Sequence, residues 1–488
     1  MAILALDQGT TSSRAILFDR SFCPLGQKNI PITQHYPHEG WVEHDAEEIF
    51  QSQMQAVSDL LAEVSDEIDC IGITNQRETT ILWNRETGKP IAPAIVWQCR
   101  RTAPKCEELS AEGWENAVKQ TTGLPIDAYF SGTKIAWLLE SCHEAKRLAA
   151  EGKLLFGTVD CWLIWKLTGN HVTDVTNASR TMLMNVSTLQ WDAEICNRLG
   201  IPMGILPKIV DNAGKFGRVK EDPAIPVALW GKQVTASAGD QQAALFGQAC
   251  FTLGDTKNTY GTGCFALMNI GSNPIFNDKL ITTVGWKIGD AITYALEGSV
   301  FNGGSSIQWL RDELKLISTA KECDLLAQQV ESSGGVVFVP AFTGLGAPHW
   351  DMYARGALLG ITRGTNRCHV CRAVLEGIAY QSAELINAME SASGITVGSL
   401  KVDGGASVSI PMMQFQSDLL NIPVDRPAVI ESTALGAAML ASIGIGLYTM
   451  DELAKIRVSD RIFTPSGRSV TEGFARWQAA IRAVQAYE

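Results

Sequence analysis

The sequence of 488 residues predicts an α/β protein made of two similar halves, with mixed sheets flanked by helices and a ligand site between the halves. Three observations support this prediction. A β-hairpin with a turn of small hydroxyl residues opens the chain at residues 3–18, and a similar strand–turn–strand pattern recurs at residues 257–268. Short apolar strands also alternate with helical segments in both halves, which is typical of an α/β fold.

The turn of the first hairpin has the composition of a phosphate-binding loop. Gly9 lets the backbone approach a ligand closely, and the amide and hydroxyl groups of residues 10–12 can surround phosphate oxygens. Asp7 stands at the end of the first strand, where it can hold a hydrated Mg²⁺ ion, and Arg14 can neutralise phosphate charge. Taken alone, the segment could also be an ordinary tight hairpin with a hydroxyl-rich turn.

The second hairpin strengthens the phosphate interpretation. Its turn, residues 261–263, reads Gly-Thr-Gly and lies near the middle of the chain. Two hairpins of this kind, one opening each half, suggest a duplicated domain with a nucleotide held between the copies.

Composition limits the classes of partner. The net charge of −12 and the isoelectric point near 5.2 argue against a nucleic acid or an anionic membrane as the main partner. An anionic nucleotide would therefore be held by local donors and a metal ion.

Asp7 interrupts the first apolar run, so we expect no signal peptide. The longest uncharged segment, residues 432–450, contains three glycines, and we predict a buried helix and loop, with no membrane insertion.

The twelve cysteines show no paired spacing, which is typical of reduced thiols in a cytoplasmic protein. The one Cys-x-x-Cys pattern, residues 368–371, falls within a long predicted helix at residues 366–391. Because no second pair accompanies it, we interpret these cysteines as structural and not as metal ligands.

Polar side chains follow several predicted strands, at the edge where open α/β sheets bind ligands. Arg77 and Glu78 come after the strand at residues 70–74, and they offer donors and acceptors that match the vicinal hydroxyl groups of a polyol. A solvated loop is the alternative for this pair. Trp97 ends another strand and could form an apolar wall against a carbon backbone.

Asp240 and Gln241 stand at a further strand-to-helix turn, within residues 236–247. Asp240 could simply cap the helix, but a cap does not require the glutamines that follow it, so we favour a functional role. Other predicted helices include residues 135–150, preceded by Tyr129, and an amphipathic helix at residues 158–167.

Read together, these motifs resemble a known group of proteins. The two hairpins and the loop at residues 402–406 resemble the actin-like ATPase superfamily. The runs at residues 6–14, 72–80, 95–102, 129–134, 239–247 and 259–265, with a later segment at residues 356–376, resemble the FGGY carbohydrate kinase family over almost the whole chain. The resemblance implies duplicated ribonuclease H-like domains at residues 1–247 and 248–488, with the active site in the interdomain cleft.

The matching segments are most similar to the members of that family that phosphorylate glycerol with ATP and Mg²⁺, the first step of glycerol catabolism. The resemblance implies Asp240 as the general base and Asp7 with Asp240 as the metal ligands. The implied substrate-binding residues are Arg77, Glu78, Trp97, Tyr129, Asp240, Gln241 and Phe265. The implied nucleotide-binding residues are Thr10, Thr11, Ser12, Arg14, Thr262, Gly304, Gln308, Gly405 and Ser409.

The sequence departs from the family pattern in two places. Ser409 replaces an asparagine that usually follows the glycine-rich loop and contacts adenine. Residues 212–232 lack both the arginine-bearing glycine-rich loop associated with fructose 1,6-bisphosphate inhibition and the histidine that other members have phosphorylated. The resemblance further implies a cytoplasmic homodimer or homotetramer. A kinase of the same family for a pentulose or another polyol, and an actin-like chaperone or filament, are the alternative functions.

Overall fold

The computed structural model describes residues 2–487, which form two large mixed sheets with helices packed on both. The strands are β1 (Ala2–Gln8), β2 (Ser12–Phe18), β3 (Pro24–Pro31), β4 (Glu43–His44), β5 (Ile68–Asn75), β6 (Ile81–Asn84), β7 (Ala94–Ile95), β8 (Leu154–Gly157), β9 (Val172–Asp174), β10 (Met184–Asn185), β11 (Gln190–Trp191), β12 (Lys208–Val210), β13 (Ala213–Arg218), β14 (Gln233–Gly239), β15 (Thr256–Tyr260), β16 (Cys264–Gly271), β17 (Ile281–Ile288), β18 (Ala291–Val300), β19 (Val337–Val339), β20 (Ala357–Leu359), β21 (Leu400–Asp403), β22 (Val424–Pro427) and β23 (Ser459–Phe463).

The helices follow the same chain order. They are α1 (Ala46–Leu61), α2 (Ala103–Ala111), α3 (Glu115–Thr122), α4 (Ser131–Ser141), α5 (His143–Ala150), α6 (Val159–Thr168), α7 (Val175–Ala178), α8 (Ala193–Arg198), α9 (Asp240–Gly247), α10 (Gly304–Asp312), α11 (Ala320–Ala327), α12 (Arg367–Ser393), α13 (Ile410–Leu420), α14 (Ser432–Gly444), α15 (Met450–Leu453) and α16 (Thr471–Gln485). Short 3₁₀ helices lie at Met203–Ile205, Val227–Leu229 and Gly405–Val408.

The first sheet brings three strand ends to one edge. Its order is β13-β14-β5-β1-β2-β3, with β1 antiparallel to β2 and parallel to β5, and β5 parallel to β14. The register places Gln8, Asn75 and Gly239 in one row. The segments that follow β5 and β14, which carry Arg77 and Asp240, therefore start beside the first hairpin.

The second sheet repeats the central part of this arrangement. Its order is β17-β18-β16-β15-β21-β22-β23, and the β15–β16 hairpin has the parallel strand β21 beside it, as β1–β2 has β5. In this sheet Thr259 pairs with both Phe265 and Asp403. We call the part of the molecule built on the first sheet the first lobe and the part built on the second sheet the second lobe.

The lobes meet where α9 and α14 cross in close contact. A Cβ atom on Gly436 of α14 would lie 1.8 Å from the carbonyl oxygen of Ala243 on α9, and one on Gly247 would lie 2.1 Å from that of Ser432. A Cβ atom on Gly72 of β5 would likewise lie 2.3 Å from the carbonyl oxygen of Ala437. Because α14 packs on the first sheet although it comes late in the chain, it ties the C-terminal half to the first lobe.

Most predicted elements are present, with two corrections. The single helix predicted at residues 135–150 is two helices, α4 and α5, because Cys142 is extended (φ −106°, ψ 110°) and ends the first of them. The predicted amphipathic helix, α6, is buried on most of its surface and not on one face only. It even buries Asp160, whose carboxylate accepts hydrogen bonds from Thr158 at 2.5 Å and Thr173 at 2.6 Å.

The uncharged segment at residues 432–450 begins with α14, and most of this helix is buried in the protein as predicted. Within residues 2–487, no helix combines the length and apolar character that crossing a membrane requires.

The crossing of α9 and α14 generates a stability prediction. Gly436→Val should lower the free energy of unfolding by more than about 2 kcal/mol, because the helices must separate to admit the side chain. Urea denaturation measures this change. Gly398→Ala is the matched control, since a Cβ at this exposed loop position would meet nothing within 4 Å. Equal urea midpoints for Gly436→Val and Gly398→Ala would show that α9 and α14 tolerate a side chain at their crossing and would contradict the prediction.

Candidate active site

The structure brings the two predicted polar clusters of the first lobe together. Arg77 follows β5, and Asp240 is the first residue of α9, directly after β14. Arg77 Nε lies 3.1 Å from Asp240 Oδ1. The Arg77 side chain is 2 % exposed, whereas that of Asp240 is 33 % exposed and so remains accessible. The solvated-loop alternative for Arg77 and Glu78 is therefore wrong.

Glu78 has an unusual backbone conformation. Its φ of 60° lies in the left-handed region, which residues other than glycine seldom adopt. Its carbonyl oxygen accepts hydrogen bonds from Ser131 Oγ at 2.9 Å and Thr80 Oγ1 at 3.1 Å, which hold the turn. Backbone strain of this kind is often found at functional sites. Here it turns the Glu78 carboxylate toward Arg180, whose Nε donates to Oε1 at 2.6 Å.

Arg180 and Glu297, which sequence reasoning missed, complete a buried cluster of four charges. Arg77 donates to Glu297 from Nη1 at 2.5 Å and from Nη2 at 2.9 Å, and Arg180 Nη2 lies 3.2 Å from the same carboxylate. All four side chains are almost completely buried. Burial alone would raise the pKa of Glu297, but the guanidinium groups of Arg180 and Arg77 outweigh it and hold this pKa at about 2.

The position of Glu297 in the sequence indicates a buried charge. Glu297 is the one charged residue in β18, and the last seven residues of that strand are buried. A carboxylate within such a strand must have a partner, since an isolated buried charge is very costly. The pattern, however, could not identify Arg77 as that partner.

Aromatic side chains line the same region. The ring centroids of Trp97 and Tyr129 lie 5.5 Å apart, and Trp97 Nε1 donates to Thr10 Oγ1 at 3.0 Å. The Arg180 guanidinium lies 5.3 Å from the Tyr129 ring centroid. Trp97 thus connects the wall of the pocket to the first hairpin.

The second lobe contributes to the pocket through Lys257 of β15. Its ammonium group donates to Gln241 Oε1, to Thr259 Oγ1 at 2.8 Å and to the carbonyl oxygen of Phe265 at 3.3 Å. Gln241 is buried, whereas Phe265 is half-buried. Gln241 and Phe265, predicted substrate residues on opposite sides of the lobe boundary, therefore both accept a hydrogen bond from Lys257.

The first hairpin concentrates negative charge. Arg14 Nη1 lies 3.9 Å from Asp7 Oδ2 and also pairs with Glu431, at the start of α14. Burial raises the pKa of Asp7 to about 6; Arg14 opposes this shift, while Glu431 and Asp240 add to it. In the hairpin turn, Gly9 N donates to the carbonyl oxygen of Ser12 at 2.9 Å; Thr10 and Ser12 are half-buried and Thr11 is exposed.

The second hairpin lies against the start of α10. Gly304 N donates to the carbonyl oxygen of Gly261 at 2.8 Å, and Gly303 N donates to that of Thr262 at 2.7 Å. A Cβ on Gly304 would lie 2.7 Å from the Gly261 oxygen and 3.6 Å from Cβ of Ala406, so the loop after β21 is also close. Three predicted nucleotide residues of this region are exposed: Thr262, Gln308 and Gly405.

Ser409 is buried, unlike the other predicted nucleotide residues of the second lobe. Only 4 % of it is exposed, and it caps α13 through the amide of Met412. Its hydroxyl donates to Asp324 Oδ1 at 2.6 Å, and burial raises the pKa of that carboxyl. The Ser409 side chain is thus engaged within the second lobe.

The carboxylates at the first hairpin suit a cation that keeps most of its water. Among the described residues, no group of three histidine, cysteine or acidic side chains is arranged to hold a metal ion directly. Mg²⁺ needs no such group, because it commonly binds through one or two carboxylates, waters and substrate phosphates. Asp7, near the end of β1, and Asp240, directly after β14, carry carboxylates at the same edge of the first sheet.

Two lobes with matching hairpins, and polar and charged side chains that meet between them, define the class of protein. This is the architecture of the actin-like ATPases, and the polar side chains beside the hairpins indicate a small-molecule kinase of that class. A family model described as the N-terminal domain of the FGGY family of carbohydrate kinases matches residues 2–247, and its C-terminal counterpart matches residues 256–445. The chain belongs to the FGGY family of carbohydrate kinases.

Curated relatives resemble the chain over its full length. A glycerol kinase of Symbiobacterium thermophilum is 53% identical, covering 98% of this chain and 97% of the relative. A glycerol kinase of Fusobacterium nucleatum is 52% identical, covering 100% of this chain and 99% of the relative. Among solved structures, glycerol kinase of Plasmodium falciparum with ADP matches with a TM-score of 0.94 and 38% identity over 99% of this chain and 98% of its own.

A more distant structure supports the fold alone. Gluconate kinase from Lactobacillus acidophilus matches with a TM-score of 0.89 but only 22% identity, over 100% of this chain and 98% of its own.

The cluster of four charges generates a second stability prediction. Arg180→Met should lower the free energy of unfolding by more than about 3 kcal/mol, because it removes the hydrogen-bonded partner of the buried Glu78 and leaves only the more distant Arg77 Nε, at 3.8 Å. Urea denaturation measures this. Arg147→Met, which removes a surface arginine paired with Glu144 and Glu151, should leave the midpoint essentially unchanged. If Arg180→Met changed the free energy of unfolding as little as Arg147→Met, ion pairing within the cluster would not stabilise the protein.

Proposed function

We propose that the protein transfers the terminal phosphoryl group of ATP to a terminal hydroxyl group of glycerol, giving sn-glycerol 3-phosphate and ADP. The observation that carries the proposal is the contact of Arg77 with Asp240, 3.1 Å apart, at the edge where the first hairpin also ends. In this proposal Arg77 binds a hydroxyl group of the substrate, next to the accessible carboxylate of Asp240, and the turn of the first hairpin binds phosphate. Relatives named glycerol kinase at 53% and 52% identity over nearly the full chain support the choice of substrate.

Glycerol would bind among donors and acceptors that match its hydroxyl groups. In this proposal Arg77, Glu78, Tyr129 and Gln241 contact the hydroxyls, and the rings of Trp97 and Phe265 face the carbon chain. A buried pocket of this type rejects analogues that lack a hydroxyl, because its polar groups would remain unpaired. Longer polyols would have to displace the aromatic walls.

Asp240 would accept the proton of the attacking hydroxyl. Its Oδ1 faces Arg77 Nε and accepts a hydrogen bond from the amide of Gln241, whereas Oδ2 has no hydrogen-bond partner among residues 2–487. The free oxygen can therefore take the proton while the other keeps the carboxylate in position. General base catalysis of this kind contributes typically about 10²- to 10⁴-fold to the rate.

The nucleotide would lie between the two hairpins. The first hairpin would contribute the amides and hydroxyls of Thr10, Thr11 and Ser12 with the charge of Arg14, and the second lobe would contribute the remaining predicted residues, Thr262, Gly304, Gln308, Gly405 and Ser409. Asp7 and Asp240 would hold Mg²⁺, which when bound neutralises phosphate charge. Arg14 pairs with Glu431 through Nη1, and its other guanidinium N–H groups would be offered to the phosphate.

The organisation of the protein is also proposed. We assign residues 1–247 and 248–488 to two kinase domains. A cytoplasmic location is proposed from the family resemblance and from the unpaired spacing of the twelve cysteines in the sequence. A homodimer or homotetramer is proposed from the family resemblance alone.

A coupled assay of ADP formation, with and without glycerol, tests the activity. We expect ADP formation to depend on glycerol and the product to be the 3-phosphate. A panel of pentuloses and other polyols separates this function from that of other kinases of the family. ADP formation that ignores every polyol would indicate a chaperone-like or filament-like ATPase and contradict the proposal.

Asp240→Asn tests the base. The variant should bind glycerol but lose most of its turnover, falling by at least about 10²-fold, because an amide cannot accept the proton. Steady-state kinetics and a glycerol-binding measurement separate the two effects. Asp222→Asn, at an accessible loop aspartate, is the control and should keep the parent rate. Turnover within about threefold of the parent would remove Asp240 from the base role.

A further inference from the structure

Two charged residues of the second lobe contact pocket residues of the first lobe, and neither belongs to the predicted substrate set. Glu297 of β18 binds Arg77, and Lys257 of β15 binds Gln241. Both side chains are completely buried. Their position in the second sheet explains why they act on the same pocket.

Lys257 and Glu297 stand in a single row across the second sheet. Leu267 of β16 pairs with Lys257 on one side and with Glu297 on the other. Because directly paired residues project from the same face of a sheet, all three side chains face the same way. Leu267 packs in an apolar cluster with Ala243 and Phe246 of α9, so this face is the one directed at the first lobe.

At one end of the row, Glu297 determines the orientation of the Arg77 guanidinium. Its two oxygens accept from Nη1 and Nη2, a two-point contact that fixes the plane of the group. Arg77 Nη1 also donates to Gln242 at 3.2 Å. The edge that carries Nε then faces Asp240 Oδ1, at 3.1 Å. A change of this plane would move the donors that Arg77 offers to the pocket.

At the other end of the row, Lys257 determines which end of the Gln241 amide faces outward. An ammonium group can only donate, so the amide oxygen of Gln241 must point at Lys257. The Gln241 nitrogen is then the atom available to a substrate, which makes this residue a donor to a hydroxyl oxygen. The two other donors of Lys257 are used by Thr259 and Phe265, so the lysine itself has none left for a ligand.

We propose that Glu297 and Lys257 are positioning residues for the alcohol pocket: the second lobe sets the orientation of Arg77 and Gln241, and through them the affinity for the polyol. This inference rests on the proposed function. In the proposed function neither residue contacts the reacting atoms or belongs to the nucleotide-binding set, although β15 leads into the turn that carries Thr262 and β18 precedes Gly304. Loss of either residue should therefore weaken binding of the alcohol and leave binding of the nucleotide intact.

Glu297→Gln keeps the shape of the side chain and removes its charge. We expect the KM for glycerol to rise by about tenfold or more, with the KM for ATP within about twofold of the parent. Asp425→Asn is the matched control, since it removes a 2.6 Å pair between Asp425 and Arg457, largely buried in the same lobe but on a different segment. The control should change neither KM. An unchanged KM for glycerol in Glu297→Gln would overturn the role of Glu297.

Lys257→Met provides an independent test, which also covers the case in which Glu297→Gln does not fold. It should raise the KM for glycerol, and combining it with Gln241→Ala should raise the KM no further than Gln241→Ala alone, because the lysine acts through that amide. Additive effects would overturn the role of Lys257, since a merely structural lysine would act independently of Gln241.

The parent protein separates this inference from the proposed function. A parent that does not phosphorylate glycerol would overturn the proposed function and this inference with it. A parent with normal glycerol turnover, together with an unchanged KM in Glu297→Gln and additivity in the Lys257 cycle, would overturn the inference alone.

Discussion

The contact between Arg77 and Glu297 is the interaction on which the candidate site depends, because it joins the lobes inside the pocket. Each residue is buried, and neither could be buried alone, since the cost of an unpaired interior charge exceeds what a small pocket recovers by packing. Arg180 and Glu78 complete the set, so two cations meet two anions and the cluster is neutral overall. The chemistry of the pocket is thus tied to the way in which the lobes are assembled.

That assembly is itself held by backbone contact. Gly436 and Gly247 allow α9 and α14 to approach more closely than any side chain would permit, and α9 begins at Asp240. The helix that presents the proposed base is therefore clamped at its C-terminal end by a helix from the other half of the chain. The proposed base is thus anchored by helix packing, whereas Thr11 and Thr262 in the two hairpin turns are exposed.

Much of this arrangement could be predicted from the sequence. Both hairpins, and the polar groups after β5 and β14, follow from local patterns, because turn residues and strand periodicity act over a few positions. The break at Cys142 could not be predicted, since one extended residue leaves the helical pattern of α4 and α5 almost unchanged. Arg180 and Glu297 were missed because their partners lie 102 and 220 positions away along the chain.

The sequence by itself determined the duplicated α/β fold, the two hairpin turns and the identity of the polar groups at the proposed polyol site, since these depend on local backbone preferences and residue chemistry. Only the tertiary structure decided which charges share a site. The row of Lys257, Leu267 and Glu297 faces the first lobe because strand pairing aligns residues from three separate segments. Spacing along the chain cannot identify Arg77 as the partner of Glu297, because these two side chains meet only after the two sheets have packed together.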